Sequence, residues 1–278
     1  MKIAVASGKG GTGKTTISTN LASALDNTQL LDCDVEEPNS YIFIKPEFKK
    51  TKEVSIPIPE INQDQCNACG KCVEVCAFNA LAKIKDNVLV FSDLCHGCGS
   101  CTYFCPTKAI KEVDRKIGVV EIGSKNGLDF IQGKLDIGQP MAPPLIKAVK
   151  KNINPDKINI IDAPPGTSCP VISAITGTDF CLLVTEPTPF GLNDLKLAVE
   201  VLRKIKIPFG VVINRFDLGD DKTEKYCQKE QIPILMRLPF SKRIATVYSK
   251  GTLIIEELPE YKKLFVQLFL DIKKELHI

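Results

Sequence analysis

Short apolar runs alternate with amphipathic stretches along most of this chain. The runs have the length and the β-branched or aliphatic character of buried parallel strands; they lie at 2–7, 29–34, 158–162, 179–185, 209–213 and 232–236. Between them, residues 14–25 and 191–205 place aliphatic side chains three or four positions apart, which predicts amphipathic helices. This alternation predicts an α/β fold, with a mostly parallel sheet flanked by helices.

The alternation is interrupted in the first half of the chain. Residues 43–61 contain three prolines and are interpreted as connecting and edge structure. Residues 62–115 contain a repeat, CNACGKCVEVC followed by CHGCGSCTYFC, which is typical of a duplicated small unit. We therefore predict a discontinuous sheet domain, 1–61 and 116–278, with residues 62–115 inserted as a small separate domain.

Composition and charge limit the kinds of binding partner that we expect for this chain. The hydrophobic fraction of 44% and the charged fraction of 25% are those of an ordinary globular protein. A net charge of +3 gives no indication of nucleic acid as a partner. The N-terminus reads as a strand that runs into a glycine loop, not as an export signal, and no apolar stretch reaches the ~20 residues of a membrane span. We expect a cytoplasmic protein with no membrane partner.

Eight of the twelve cysteines lie between positions 66 and 105. In a chain that shows no export signal, such clustering favours metal or redox chemistry over disulfides. Both runs fit C-x2-C-x2-C-x3-C, in which three thiolates hold one [4Fe–4S] cluster and the fourth holds the partner cluster. The predicted ligands are Cys66, Cys69, Cys72 and Cys105 for one cluster, and Cys76, Cys95, Cys98 and Cys101 for the other.

The alternative for these cysteines is zinc. Four-cysteine zinc sites usually consist of two CxxC pairs with a longer loop between them, and these runs fit that pattern poorly. Gly70 and Gly99 follow the second cysteine of each run, where they permit close approach of the backbone to a cluster. The first run lacks the proline that follows the second, but it lacks no ligand. Residues 62–110 resemble bacterial ferredoxins with two clusters, an α+β fold.

A phosphate-binding loop stands at the start of the chain. Residues 8–15, GKGGTGKT, match G-x-x-x-x-G-K-[ST] between a predicted strand and a predicted helix. Backbone N–H groups of such a loop bind phosphates, the lysine reaches the β- and γ-phosphates and the following threonine binds Mg²⁺. The predicted nucleotide-binding residues are Gly8, Gly10, Gly11, Thr12, Gly13, Lys14, Thr15 and Thr16.

The whole chain resembles the MinD/ParA/Mrp superfamily of P-loop ATPases, in a form that contains an inserted ferredoxin domain. Lys9 completes the superfamily's variant loop KGGTGKT. Further stretches that carry the resemblance are DVEEPN (34–39), GQPMAPPLIKAVKK (138–151), DAPPGTSCPV (162–171) and VTEPTPFGLNDLKLAVE (184–200). The resemblance implies that the ligand is ATP with Mg²⁺.

The resemblance also implies roles for individual residues. Lys9 would reach the nucleotide of a partner in a nucleotide-sandwich dimer, formed with an identical chain or a paralogue; otherwise it is a solvated loop lysine. Asp34 would position the attacking water, so that Lys9, Lys14 and Asp34 are the predicted catalytic residues. Asp162 would hold Mg²⁺ with Thr15, whereas Asp32 either assists at the metal or caps its strand. Asn214, with residues 238–241, would bind adenine.

Three functions are compatible with these motifs. The preferred one is an ATPase in which ATP-driven dimer switching controls electron transfer through two clusters, between a donor and an acceptor protein that the sequence does not identify. The second is an iron–sulfur cluster carrier of the Mrp type, although no CxxC lies outside the insert. The third is a MinD-like positioning ATPase, for which the amphipathic stretch 258–276 would bind a membrane and not dock on the fold. Cys169, in the predicted switch loop, is either an interface cluster ligand or an ordinary thiol.

Overall fold

The centre of the fold is a nine-stranded sheet with the strand order β11-β10-β9-β1-β8-β2-β7-β6-β3. The computed structural model describes all residues, 1–278. A separate hairpin pairs β4 with β5. The strands are β1 (Lys2–Ala6), β2 (Thr28–Asp32), β3 (Glu47–Ile61), β4 (Leu81–Ile84), β5 (Asn87–Val90), β6 (Ile110–Lys125), β7 (Leu128–Leu135), β8 (Ile158–Asp162), β9 (Phe180–Thr185), β10 (Phe209–Asn214) and β11 (Ile234–Leu238).

Helices cover both faces of this sheet. The helices are α1 (Lys14–Ala24), α2 (Ser40–Ile44), α3 (Lys71–Glu74), α4 (Ser100–Tyr103), α5 (Pro143–Lys150), α6 (Cys169–Ile175), α7 (Pro189–Ile205), α8 (Lys222–Lys229), α9 (Lys242–Ser249), α10 (Ile254–Glu257) and α11 (Lys262–Glu275). Short 3₁₀ turns occupy Ser92–Leu94 and Pro259–Tyr261. No helix combines the length and the apolar character that crossing a lipid bilayer requires.

The seven strands from β11 to β7 run parallel, and the predicted α/β fold with a mostly parallel sheet flanked by helices is confirmed. Alternate residues of a strand enter different cores. Ile3 and Val5 of β1 pack with α1 and α11, whereas Ala4 and Ala6 pack with the core on the other face. Because both faces are covered, the central strands read as continuous apolar runs.

The C-terminal helix α11 is docked on the sheet. Phe265, Leu268 and Ile272 are fully buried in the same core as Ile17 and Leu21 of α1. The apolar stripe of this amphipathic segment is therefore used within the fold, as the docking interpretation requires.

The interpretation of residues 43–61 as connecting structure was wrong for most of the segment, although its placement at an edge was correct. Glu47–Ile61 forms β3, a 15-residue strand at the edge of the sheet that pairs antiparallel with β6. Its first seven residues are exposed and show no apolar alternation, and prolines at 57 and 59 interrupt the alternation of Val54, Ile56 and Ile58 in its second half. The exposed lysines Lys49, Lys50 and Lys52 are of the type that discourages edge-to-edge association.

Strands β3 and β6 continue beyond the rest of the sheet. Val54 pairs with Gly118, which pairs with Leu135 at the carboxyl end of β7. Past that level only residues 55–61 and 110–117 remain paired, and this two-stranded ribbon, hereafter the arm, extends about 20 Å. Residues 62–109, hereafter the cysteine module, lie at its end. The predicted insert boundary at 115/116 falls inside β6.

Side chains fix the cysteine module against the arm. Arg115 of the arm donates to Asp93 of the module over 2.7 Å, and the arginine side chain is only 14% exposed. Gly97 lies against Pro57 so closely that a Cβ at position 97 would be 3.0 Å from the Pro57 carbonyl oxygen. Leu81 and Val88 form a small core of their own with Ile110 at the arm's tip. The module thus has few contacts with the sheet domain except through the arm.

We predict that the sheet domain folds without the cysteine module. Ile61 and Ile110 are directly paired, so an Asn-Gly turn can replace residues 62–109 as a two-residue hairpin connection. The melting temperature from circular dichroism should stay within about 4 °C of the full chain, equivalent to roughly 1 kcal/mol. A spliced variant that is unfolded, or that has lost ADP binding, would contradict a separable insert.

Candidate functional site

The phosphate-binding loop opens a cavity at the carboxyl edge of the sheet. The loop joins β1 to α1, and Gly11 and Gly13 have φ values of 80° and 96°, which favour glycine. The cavity measures about 460 Å³. Its walls include residues of the loop and of the strand ends, namely Gly10, Gly11, Gly13, Lys14, Thr15, Thr16, Asp34, Asn39, Asn214, Arg215, Leu238, Phe240 and Tyr248.

Two of the predicted nucleotide-binding residues do not line this cavity. Gly8 packs against the backbone of Asp194, where a side chain would collide. Thr12 is buried, and its carbonyl oxygen accepts a hydrogen bond of 2.8 Å from Asn214 Nδ2. Asn214 therefore ties the end of β10 to the phosphate-binding loop, in addition to lining the cavity at the predicted base segment 238–241.

Asp32 and Asp162 are adjacent on neighbouring strands and fully buried. Burial, followed for Asp32 by the charge of Asp162, raises the pKa of both carboxyl groups. Asp32 accepts three backbone hydrogen bonds, from the N–H groups of Asp34 (3.1 Å), Asn39 (3.1 Å) and Ser40 (3.0 Å). The Asp32 carboxylate therefore caps the backbone N–H groups of the loop after β2.

Asp162 has one oxygen to spare. Its Oδ2 accepts a hydrogen bond of 3.0 Å from the Ser40 hydroxyl, whereas Oδ1 is buried without a partner. Lys14 and Thr15 line the same cavity; the positive charge of Lys14, and to a smaller extent the hydroxyl of Thr15, oppose the rise that burial causes in the pKa of Asp162. A buried unpartnered carboxylate oxygen beside a hydroxyl fits the oxygen ligands, direct or through water, that Mg²⁺ prefers.

Asp34 lies partly buried on the cavity wall. Burial raises the pKa of its carboxyl group to about 6, and the positive charge of Lys14 opposes that rise. Lys14 is itself only 7% exposed. The two side chains thus lie in the same desolvated region, where charge–charge attraction is stronger than in water.

Lys9 is not part of the cavity wall of its own chain. Its carbonyl oxygen accepts a hydrogen bond of 2.5 Å from the Ser7 hydroxyl, which anchors the backbone of the loop. Large apolar side chains stand exposed around the same edge of the sheet, after β7, β9 and β10: Ile137 (104%), Phe190 (79%) and Leu218 (58%). Exposed apolar side chains near a ligand site are typical of an interaction surface.

Three residues of this site carry no signal in the sequence. Ser40 contacts a carboxylate 122 positions away. Tyr248 lines the cavity and packs against Phe43, with tilted rings whose centroids are 5.0 Å apart. Arg215, also on the wall, donates to Glu186 over 2.6 Å. Each is placed by contacts between distant segments, which no local motif records.

The cysteines of the module are gathered around two regions. Cys76, Cys95, Cys98 and Cys101, the four predicted ligands of the second cluster, line one small cavity. Cys72 and Cys101 are buried in the module's core, against which Cys66, Cys76 and Cys105 pack. Of the first predicted set, Cys69 is exposed.

The backbone of the module is arranged around sulfur. Ala80 donates its N–H to Cys76 Sγ over 3.3 Å, and Gly97 donates to Cys95 Sγ over 3.4 Å. Gly70 and Gly99 have φ values of 80° and 73°, so each turn depends on glycine. These features fit an iron–sulfur cluster, whose protein ligands also accept hydrogen bonds from the backbone.

No group of three or more His, Cys, Asp or Glu side chains converges on a point where one metal ion could be held. A single zinc ion requires four ligand atoms at about 2.0–2.3 Å, which these cysteines do not approach. In a [4Fe–4S] cluster each thiolate binds a different iron atom, so its ligands need not converge on one point. What favours cluster ligation over zinc is the spacing, three cysteines two residues apart in each of two runs.

The four cysteines outside the module fall into two groups. Cys33, Cys181 and Cys227 are fully buried, and burial raises the pKa of all three thiols, which is typical of inert structural cysteines. Cys169 is exposed at the first residue of α6. It belongs to no group of three or more potential metal ligands.

Comparison with known proteins identifies the sheet domain. The sequence model described as the CobQ/CobB/MinD/ParA nucleotide binding domain matches residues 3–254. The uncharacterized protein MJ0579 of Methanocaldococcus jannaschii is 36% identical over 90% of this chain and 90% of its own length. An iron-sulfur cluster carrier protein of Pyrococcus horikoshii is 25% identical over 94% of this chain and 82% of its own.

Among solved structures, the cell division ATPase MinD of Pyrococcus furiosus superposes with a TM-score of 0.59. The alignment covers 98% of each chain at 22% sequence identity. At this identity the match is one of fold.

We predict that ATP hydrolysis falls at acidic pH through Asp34. The raised pKa of about 6 means that the carboxylate is ionised above that pH and protonated below it. A protonated Asp34 cannot accept a proton from, or orient, an attacking water. The kcat/KM should therefore fall by about tenfold per pH unit below the pKa of this group. Asp34→Asn should hydrolyse ATP slowly and without this acidic limb; an unchanged pH profile would exclude Asp34 from the role.

Proposed function

This chain belongs to the CobQ/CobB/MinD/ParA family of nucleotide-binding domains, within the MinD/ParA/Mrp superfamily of P-loop ATPases, and we propose that it is an ATPase that makes electron transfer conditional on ATP. In this proposal the cysteine module holds two [4Fe–4S] clusters. ATP binding closes a dimer at the carboxyl edge of the sheet, and closure changes the access of a redox partner to the module.

The observation that carries the proposal is the direction of the arm. The arm leaves the sheet at the carboxyl end of β7, and the nucleotide cavity lies at the carboxyl ends of β1, β2, β8 and β10 in the same sheet. The cysteine module therefore projects from the edge at which the nucleotide binds. A dimer that closes on this edge would change the surroundings of the module directly, without a signal relayed through the core.

The nucleotide site supports the ATPase half of the proposal. Lys14, buried at the cavity wall, would bind the β- and γ-phosphates, and Thr15 with Asp162 would hold Mg²⁺. Asp34 lies on the wall of the same cavity, where an ionised carboxylate would accept a hydrogen bond from the attacking water. Asp32 is fully occupied by backbone N–H groups, which favours its capping role over a direct place at the metal.

Two features support a dimer formed at this edge. Lys9 lies outside the cavity of its own chain, as expected of a lysine that acts on a partner's nucleotide. Exposed apolar side chains such as Ile137 and Phe190 surround the cavity and would be covered in a sandwich. The partner would be a second copy of this chain or a paralogue.

The cysteine module supports the redox half of the proposal. When bound, each [4Fe–4S] cluster would carry one electron. The second set of ligands, Cys76 with Cys95, Cys98 and Cys101, lies beside Pro57, Pro59 and Glu112 of the arm. The first set flanks the chain's entry and exit at Asn62 and Ala109, which are hydrogen-bonded to each other over 2.8 Å. The two clusters would thus occupy different levels along the arm.

The second candidate is an iron–sulfur cluster carrier. The relative from Pyrococcus horikoshii bears that name and aligns over most of both chains, which is the observation that favours this candidate. Against it, this chain has no CxxC outside the module, and Cys72, Cys95 and Cys101 are buried, as suits retention better than release. A MinD-like positioning function rests on fold likeness alone, and α11 is docked on the core.

We predict that anaerobically purified protein contains about eight iron atoms per chain, as two [4Fe–4S] clusters require. It should keep this iron, measured by ferrozine assay, after incubation with an apo-ferredoxin and separation from it. Replacing Cys76 or Cys98 with Ser should remove about four irons and leave the other cluster's signal. Quantitative transfer of iron to the apo-ferredoxin would favour the carrier function instead.

We predict that cluster reoxidation depends on ATP. The dithionite-reduced protein should be reoxidised by a macromolecular acceptor such as a cytochrome c at different rates with ATP and with ADP. Lys14→Ala removes the phosphate contact and should abolish both hydrolysis and this difference, while the brown chromophore remains, because the module has its own core.

The matched control for Lys14→Ala is Lys125→Ala, at the opposite edge of the sheet, where Lys125 is the last residue of β6. It should leave hydrolysis and the ATP-dependent difference unchanged. Equal reoxidation rates with ATP and ADP in the wild-type protein would disprove gating. Loss of the chromophore in Lys14→Ala would mean that the two parts do not fold independently.

A further inference from the structure

Ser40 is the residue that joins the two buried carboxylates of the nucleotide site. It is itself fully buried, as the first residue of α2. Its backbone N–H donates to Asp32 Oδ2 over 3.0 Å, and its hydroxyl donates to Asp162 Oδ2 over 3.0 Å. One residue thus supplies a donor to each member of a pair of like charges on adjacent strands.

The consequence for Asp162 is geometric. With Oδ2 engaged by Ser40, the carboxylate cannot rotate freely about its Cβ–Cγ bond without breaking a buried hydrogen bond. Oδ1 remains buried without a partner. Ser40 therefore decides which of the two oxygens is left for a cation.

Packing holds Ser40 in place independently of these hydrogen bonds. Phe43, one turn along α2, is 5% exposed and packs against Tyr248, which lines the nucleotide cavity, with tilted rings whose centroids are 5.0 Å apart. Ile42 lies against Gly251, where a Cβ would come within 2.9 Å of its side chain. Helix α2 is thus fixed between the loop after β2 and helix α9. A donor held in this way orients a ligand without reorganisation on binding.

We propose that Ser40 is a positioning residue of the magnesium–nucleotide site, which orients Asp162 so that Oδ1 faces the cation. The inference rests on the proposed nucleotide-binding function and adds to it a residue outside its sequence motifs. Ser40 contacts neither phosphate nor metal in this role; it acts through Asp162. Asn39, the neighbouring residue, lines the cavity and also has a buried side-chain oxygen without a partner, so this short segment faces the ligand.

If Ser40 acts through Asp162, its loss should change the affinity for ADP only when Mg²⁺ is present. Loss of a purely structural residue would change the affinity for ADP equally with Mg²⁺ and in EDTA. Loss of the hydroxyl should weaken the binding of ADP in the presence of Mg²⁺, because Asp162 is no longer oriented. It should leave ADP binding in EDTA unchanged, because the phosphate-binding loop does not depend on Ser40. Loss of an outer-shell partner typically lowers metal affinity by roughly 10–100-fold.

The test is isothermal titration of ADP into the anaerobic full-length protein, with Mg²⁺ and with EDTA. Ser40→Ala should lower the affinity with Mg²⁺ by roughly tenfold and leave the affinity in EDTA within about twofold of wild type. Ser173→Ala is the matched control, because the Ser173 hydroxyl is also buried but has no hydrogen-bond partner. It should change neither affinity.

Equal losses with Mg²⁺ and EDTA, or no loss in either, would overturn the inference. If Ser40→Ala does not fold by circular dichroism, Ser40→Cys decides by the same pair of titrations. This variant keeps the side-chain volume and weakens the hydrogen bond to Asp162. A smaller loss of ADP affinity is expected, and only with Mg²⁺ present. An equal loss of ADP affinity in EDTA would refute the role. Wild-type protein that binds ADP equally with and without Mg²⁺ would instead refute the magnesium site of the proposed function.

Discussion

Seven neighbouring strands run in one direction, and this alignment decides where each chemical group of the sheet domain lies. Parallel strands place all their carboxyl ends at one edge, where the connecting loops converge. The phosphate-binding loop, the carboxylates after β2 and β8, and the asparagine that ends β10 are far apart in sequence and meet at this edge. The antiparallel addition of β6 and β3 ends at the same edge, because β3 runs parallel to β7. The direction of the strands in the sheet therefore sets the direction in which the arm projects.

The alignment also creates the main electrostatic difficulty of the site. Asp32 and Asp162 are register partners on adjacent strands, so two carboxylates are buried side by side. Burial without compensation would be costly for either. The segment after β2 supplies three backbone donors to Asp32, from Asp34, Asn39 and Ser40, and the Ser40 hydroxyl donates to Asp162. Lys14 adds a nearby positive charge that favours the ionised form of Asp162. One oxygen remains uncompensated, and it lies where a cation is expected.

The sequence was informative wherever structure is local. The strand–loop–helix unit around Lys14 and the six buried strands follow from short patterns, because each is determined by residues near one another in the chain. Strands β3, β6 and β7 were missed. The first half of β3 is exposed and shows no apolar alternation, and two prolines mask the alternation of Val54, Ile56 and Ile58 in its second half, so pairing with β6 is what defines it as one long strand. The contributions of Ser40 and Tyr248 depend on contacts across the fold. The cysteine spacing predicts a ligand set, but the position of that set above the nucleotide edge depends on strand register, which the spacing does not contain.

The arm has a consequence for how the chain acquires its structure. Pairing of Ile61 with Ile110 closes a long loop, and the entropic cost of closure grows with the length of free chain between the paired residues. A module ordered around the proposed clusters would bring these two residues together and remove most of that cost. Loading of iron and sulfide would then favour pairing of the two arm strands from the tip, whereas the sheet favours their pairing from the base. On the proposed function, cluster loading would be coupled to the pairing of the arm strands, while the rest of the sheet folds without the module.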